Sequence, residues 1–373
     1  MAGASTIRIP ALSATVLVTA ALYFARSIFA PLAVALFVMA VVWPIQETLQ
    51  KRIPKGLAIL VTILVTVVVM IAFGSLIAWG LGEVGRWFMA NTARFQSLFM
   101  ETTVWLEQHD IFIADSLSDK FNAASLMQYA SSVADIVNSL IGFSLIVLIY
   151  MMLGLPEVDD FRQHIKNFDN RTAASDFLHA GQGGTNFLQA IETISEKART
   201  YMVVRTLASI LTGVAVWAFL WIEGVDLAPE WGVIAFALNF IPYIGTLIAT
   251  VLPTVLASAQ FESVQMGAYV FVGLIFVQSV IGSYIEPTFS GAKLAISPFI
   301  SVVALFMWSF LWGLPGALIG VPLTLAVITL CDLNPSSRWI ATMLSGPPKN
   351  TLAAQDVAHS VEKEVMKKMS DAH

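Results

Sequence analysis

Solid apolar blocks separated by short polar stretches dominate this chain, as at 57–72, 203–221, 266–282 and 299–312. About 20 mostly apolar helical residues cross a bilayer core, so blocks of this length and solidity predict transmembrane helices. A membrane β-barrel would instead read as short segments of alternating hydrophobicity. The pattern therefore predicts an all-α polytopic membrane protein in contact with membrane lipid.

Residues 1–82 hold three predicted helices. The first two, at 12–29 and 31–45, are joined around Arg26 and Pro31 and form a hairpin. The cluster Lys51, Arg52 and Lys55 follows, and cationic short loops mark the cytoplasmic side, so the N-terminus is expected inside. The stretch 12–29 is read as a retained membrane helix rather than a cleaved signal, and a third helix at 56–81 leads outward. In 83–132, Trp87, Phe88, Phe95, Leu98, Phe99, Leu106 and Ile111 recur near helical spacing among Glu101, Glu107, Asp110, Asp115 and Asp119. That is the pattern of an extracytoplasmic amphipathic region.

A fourth helix at 133–155 returns inward and stops at Pro156. The segment 156–200 carries Arg162, Lys166, Arg171, Lys197 and Arg199, the composition of a cytoplasmic loop or helix. Its Gly181-Gln182-Gly183-Gly184 run has no Lys-Ser/Thr pair after it and is read as a flexible link, not a phosphate loop. A fifth helix at 201–221 opens a membrane core at 201–332. The tail 333–373, with Arg338, Lys349, Lys363, Lys367 and Lys368, is expected in the cytoplasm.

Two apolar stretches of the core are broken. Residues 231–260 are interrupted by Asn239, Pro242, Gly245 and Pro253; residues 298–332 break at Gly313-Leu314-Pro315-Gly316 and again at Pro322. An unbroken helix over the second would measure about 50 Å, well beyond the hydrocarbon thickness of about 30 Å. As kinked spans the two stretches give eight crossings. As re-entrant hairpins they give about six full transmembrane helices plus two hairpins, the first entering from outside and the second from inside. The hairpin reading is preferred because it also places Lys293 on the cytoplasmic side.

Broken backbone survives in a membrane only when buried in protein or facing a watery cavity, since each unpaired amide or carbonyl costs several kcal/mol in hydrocarbon. Paired Gly/Pro interruptions are thus the best pointer to a solute path, here Asn239, Pro242, Tyr243 and Gly245 with Gly313, Pro315 and Gly316. The plainer alternative is that they permit close packing or kinks, the spacing Gly316-x-x-x-Gly320 being one that lets membrane helices approach closely. Glu286, immediately before Pro287 at the end of an apolar helix, is either a coupling carboxylate or an interfacial acid. Arg205 is expected to snorkel to the interface.

Charged residues make up 12% of the chain against about 25% in soluble domains. The net charge of −5 removes the electrostatic motive for nucleic-acid binding. The five histidines lack metal-site spacing, and no G-x-S-x-G elbow or nucleotide motif is present. No catalytic residue, metal or cofactor is expected, and the chain is not read as an enzyme. Cys331, the single cysteine, forms no internal disulfide.

Three motifs carry a family resemblance: Asn239-Phe240-Ile241-Pro242-Tyr243-Ile244-Gly245 with Pro253, then Ile285-Glu286-Pro287…Gly291…Ser297-Pro298, then Trp312-Gly313…Gly316…Val321-Pro322-Leu323. In this order and spacing they resemble the AI-2E family, the autoinducer-2 exporter-like bacterial permeases. The likeness is strong over 198–330 and lacks a matching motif in 83–132. Thr246 departs from it, standing where glycine or proline is expected. The resemblance implies a multi-pass protein of the bacterial inner membrane and a homo-oligomer, with a pentamer as the count. It also implies a secondary transporter that exports a small polar solute such as autoinducer-2, coupled to a proton or sodium. Sodium (lithium)/proton antiport is the alternative activity, and a non-transporting membrane scaffold is the alternative of another class.

Overall fold

A computed structural model describes residues 8–94, 97, 138–158, 160, 161, 163, 164, 183–290, 297–333 and 337–344. The expected features at 98–132, at the Lys293 loop and in the tail beyond Leu344 lie outside these residues. The chain runs through α1 (Arg8–Phe24), α2 (Arg26–Gln50), α3 (Lys55–Ala90), α4 (Asn138–Val158) and α5 (Gly183–Ile222). It continues through α6 (Ala228–Leu238), α7 (Ile244–Gln260) and α8 (Val264–Val280). A π-helical turn (Ile281–Ile285) and a further helical turn (Glu286–Ser290) extend α8. Then come α9 (Pro298–Trp312), α10 (Leu314–Leu333) and α11 (Arg338–Leu344).

Among the described residues six helices are long and apolar enough to cross a membrane: α2, α3, α4, α5, extended α8 and α10. α6, α7 and α9 are shorter apolar helices. α3 shows why lipid is the solvent, because Leu57, Leu60, Leu64, Val68, Val69 and Ile71 all stand exposed along it. A helix apolar on every side has no stable place in water.

Several expected boundaries change. α1 and α2 do not form a hairpin around Arg26 and Pro31. Only Ala25 separates them, its N–H bonding Ala21 and its carbonyl accepting from Phe29, so the ladder crosses a kink without reversing. The hairpin that would have set the N-terminus beside the Lys51–Arg52 turn is therefore absent. α3 runs past residue 82 to Ala90, and α5 is one 40-residue helix that takes in Gly183, Gly184 and the polar residues before Tyr201. Pro156 does not end α4, and Pro253 and Pro322 lie inside α7 and α10. A proline costs one helical hydrogen bond, whereas breaking the helix in hydrocarbon exposes several polar groups.

Two breaks remain, at 239–243 and at Gly313, and at each the chain folds back. Gln260, at the end of α7, accepts from the Asp226 amide and donates to the Gly224 carbonyl just before α6. The start and end of the α6–α7 pair are thus tied together. In the α9–α10 pair, Trp308 donates to Thr324, and a Cβ on Gly320 would lie 3.4 Å from the Ala304 carbonyl. The pairs open toward opposite ends of the bundle. Trp87, at the end of α3, donates to Asp226 beside the first pair, while Lys197, early in α5, donates to Thr329 near the end of the second.

The largest core cluster joins α3, α5, α6, α7 and α8 through Val84, Leu220, Trp231, Ile234, Leu256 and Leu274. α5 and α6 cross with their backbones almost touching, since a Cβ on Gly213 would lie 2.7 Å from the Gly232 carbonyl. Smaller clusters pack α2 on α4 through Met39, Val147 and Met151, and α2 on α9 and α10 through Ala30, Trp308 and Ile319.

Candidate functional site

The first break is built by residues that cannot continue a helix. Pro242 has no amide hydrogen to donate, and Tyr243 then takes φ 62°, ψ −54°. The Ile244 amide bonds back to the Pro242 carbonyl at 2.7 Å, closing a γ-turn of the rarer, strained hand. Such conformations cost about 1–3 kcal/mol and persist where the surroundings over-determine them. Two neighbours, Gly245 and Thr246, do so here. The Gly245 amide bonds the Ile241 carbonyl, and Thr246 Oγ1 donates to the Tyr243 carbonyl at 2.8 Å. A Cβ on Gly245 would sit 1.8 Å from the Leu238 carbonyl, so only glycine lets α7 leave so close to α6. The departure from the family motif at Thr246 therefore has a role, that of holding the strained turn.

Asn239 is buried, and its Nδ2 donates to Ser209 Oγ of α5 at 3.1 Å. Gln278 of α8 donates to the Thr246 carbonyl and to Thr250 Oγ1, at 3.0 and 2.8 Å. The broken strand of backbone is thus held by polar side chains from two neighbouring helices. Tyr243, by contrast, is exposed.

The second break is a single residue. Gly313 has φ 66°, ψ −140°, a conformation essentially confined to glycine. Pro315 falls in the first turn of α10, where its missing donor costs little. Gly316 does not have positive φ, and its role is close approach: a Cβ there would lie 2.0 Å from the Trp308 carbonyl. The two breaks meet, because Ile241 and Ile244 of the first pack with Leu305 and Ala317 of the second pair in one small cluster.

Glu286 is set apart from these tips but is not a lone interfacial acid. Arg205 Nη1 donates to Glu286 Oε1 at 2.8 Å, with the Arg205 side chain 7% exposed and that of Glu286 27%. Arg205 therefore does not snorkel outward as its position near the start of an apolar block suggested. The reason is the π-turn at Ile281–Ile285, which adds a residue to the turn and delivers Glu286, followed by Pro287, to the α5 face. π-turns inside membrane helices occur frequently at functional positions.

Sequence reasoning missed Ser209, Tyr201, Gln278 and Thr250. For Tyr201, Ser209 and Thr250 the signal was present as four-residue spacing of polar residues: Lys197, Tyr201, Arg205, Ser209 along α5, and Thr246, Thr250, Thr254, Ser258 along α7. An apolar groove of about 500 Å³ also opens between α3, α5 and α6, lined by Leu76, Trp79, Trp217 and Phe236. It offers a polar solute no partner. Among the described residues no group of His, Cys, Asp and Glu is placed to hold a metal ion.

A family model described as AI-2E family transporter matches residues 12–334. The AI-2 transport protein TqsA of Escherichia coli K12 is 25% identical over 335 residues, covering 88% of this chain and 93% of that protein. A putative transport protein of Haemophilus influenzae is 24% identical over 345 residues, covering 89% and 94%. A putative transport protein of Borreliella burgdorferi is 32% identical over 199 residues, about half of each chain at 52% and 52%.

Proposed function

This chain belongs to the AI-2E transporter family, and on that premise we propose that it is a secondary transporter exporting a small polar solute such as autoinducer-2 across the bacterial inner membrane. The observation that carries the reading is the meeting of the two fold-backs, which open toward opposite ends of the bundle and share the cluster of Ile241, Ile244, Leu305 and Ala317. At 11 and 17 residues, α6 and α7 fall short of the about 20 residues that cross a bilayer, which supports a re-entrant first pair. Membrane helices broken in this manner form solute sites in transporters, where freed amides and carbonyls replace water around a polar ligand. Asn239, Pro242, Tyr243 and Gly245 with Gly313, Pro315 and Gly316 line the path in this reading. One broken pair moves against the other to give alternating access, and assembly as a homo-oligomer holds the remainder still.

Charge placement supports a cytoplasmic face at the Lys51, Arg52, Lys197 and Arg338 end, with Glu223, Asp226, Glu230 and Glu262 outside. A cysteine replacing Arg52 in a Cys331→Ser background is then labelled by an impermeant maleimide only from the cytoplasm. A cysteine replacing Glu262 is labelled only from outside. Labelling of both from one side removes this topology.

Glu286 is the coupling residue in this reading, with a proton or sodium as the ion. Discharging it frees Arg205, so ion arrival and helix movement are linked through one contact. Glu286→Gln keeps shape and hydrogen bonding but holds the neutral form. The expected result in proteoliposomes is that substrate counterflow persists while proton-driven accumulation is lost. Accumulation at the wild-type level excludes Glu286 as the coupling group. Proton release on adding sodium or lithium, with no solute flux across the same panel, selects antiport instead. No flux of any kind selects the scaffold.

A further inference from the structure

We infer that Tyr201, Arg205 and Glu286 form a binding subsite for the oxygen atoms of a neutral hydroxylated or hydroxy-carbonyl solute, on the cytoplasmic side of the two breaks. This rests on the transport reading and gives its path a second stop. The three groups lie in adjoining turns: Tyr201 and Arg205 are four residues apart on one face of α5, and Glu286 bonds Arg205 from extended α8.

The site has donors without acceptors. Arg205 is buried, and only part of its guanidinium is engaged by Glu286. Its Nε is shielded from solvent and has no hydrogen-bond partner among the described residues. The Tyr201 hydroxyl is shielded and unpartnered in the same way, and it lies within electrostatic reach of both Arg205 and Glu286. A buried donor left unpaired forfeits its full solvation, so two of them one helical turn apart are retained against a steady cost. An acceptor oxygen bound between them removes that cost.

The chemical class follows from charge. Arg205 and Glu286 cancel, so a charged solute would leave net charge in a low-dielectric interior, whereas a neutral one would not. A hydroxyl can accept from Tyr201 or Arg205 Nε and donate to the carboxylate of Glu286, which is the more exposed member of the pair. The subsite also adjoins the breaks. Ser209 is the next residue on the same face of α5 and holds Asn239, about 6 Å along the helix from Arg205. A polar solute leaving Asn239 thus meets the orphan donors next.

The test uses the purified chain with two probes: dihydroxyacetone as the neutral hydroxy-carbonyl and lactate as an anion. Dihydroxyacetone is expected to raise the unfolding temperature of the wild type in a saturable manner. Tyr201→Phe is expected to be at least as stable as wild type without ligand, because it removes an unpaired buried hydroxyl, and to bind dihydroxyacetone about tenfold more weakly. Arg205→Lys keeps a cation opposite Glu286 but lacks Nε, and weakens binding by a similar factor.

No response to either probe overturns the proposal and leaves water as the occupant. A stronger response to lactate overturns the neutral class. Equal affinity in Tyr201→Phe, or lower ligand-free stability, overturns the role of the hydroxyl. Counterflow of labelled dihydroxyacetone separates the two readings. Binding that the variants lose, with no flux in wild type, sinks transport and spares the subsite. Flux identical in wild type and Tyr201→Phe sinks the subsite and spares transport.

Discussion

Gly316→Ala is expected to lower the stability of the chain by about 3 kcal/mol and to abolish solute flux, while Gly320→Ala costs about 1 kcal/mol and keeps it. The two glycines lie one turn apart on α10 and both face α9, but their surroundings differ in what has to move. A Cβ on Gly316 would stand 2.0 Å from the Trp308 carbonyl oxygen and 2.6 Å from its carbon, atoms of a helical backbone that cannot rotate away. A Cβ on Gly320 would first meet the Trp308 Cβ at 3.2 Å, a displacement of a few tenths of an ångström. The larger substitution Gly316→Leu extends the same effect: insertion and assembly through the other helices persist, and transport is lost. Thermal unfolding of the purified protein beside flux in vesicles reads both quantities. Equal losses for the two alanine variants would show that the close approach at Gly316 is not what holds the second fold-back together.

Removing Glu286 from the Arg205–Glu286 pair is expected to cost about 3 kcal/mol, because it strands the Arg205 charge in a poorly solvated place. Glu286→Leu therefore destabilises strongly. The double variant Arg205→Met/Glu286→Leu is expected to recover to within about 1 kcal/mol of wild type, since an apolar pair of similar volume needs no solvation. Both variants lose coupled transport. Stability thus separates from function at this contact: the pair is replaceable as packing and irreplaceable as a switch. If the double variant is as unstable as the single losses summed, the two side chains act independently and the coupling argument fails with them.

The breaks at 239–243 and at Gly313 were legible because proline and glycine act locally. Pro242 withholds a donor, and Gly313 accepts a backbone angle that other residues resist, whatever surrounds them. Pro156, Pro253 and Pro322 misled for a related reason. Their local cost is the same, but lipid offers a broken helix nothing better, so α4, α7 and α10 pass through them. The hairpin expected at Arg26 failed on length: the apolar pattern marks where helices can lie, and a dip in it does not distinguish a kink at Ala25 from a reversal. Arg205 was misplaced because its partner lies 81 positions away, in a helix whose π-turn leaves no trace in composition.

The order of residues alone therefore established the solvent, the helical class, the two interruptions and the family motifs, since hydrophobicity and backbone chemistry are properties of single residues and short spacings. Tertiary structure decided which polar groups meet. It tied Asn239 to Ser209, Gln278 to Thr246 and Thr250, Arg205 to Glu286, and one break to the other through Ile241, Leu305 and Ala317. Those partnerships depend on the crossing of helices distant in the chain, and a hydrogen bond or ion pair is selected by distances of about 3 Å that no spacing along one helix encodes.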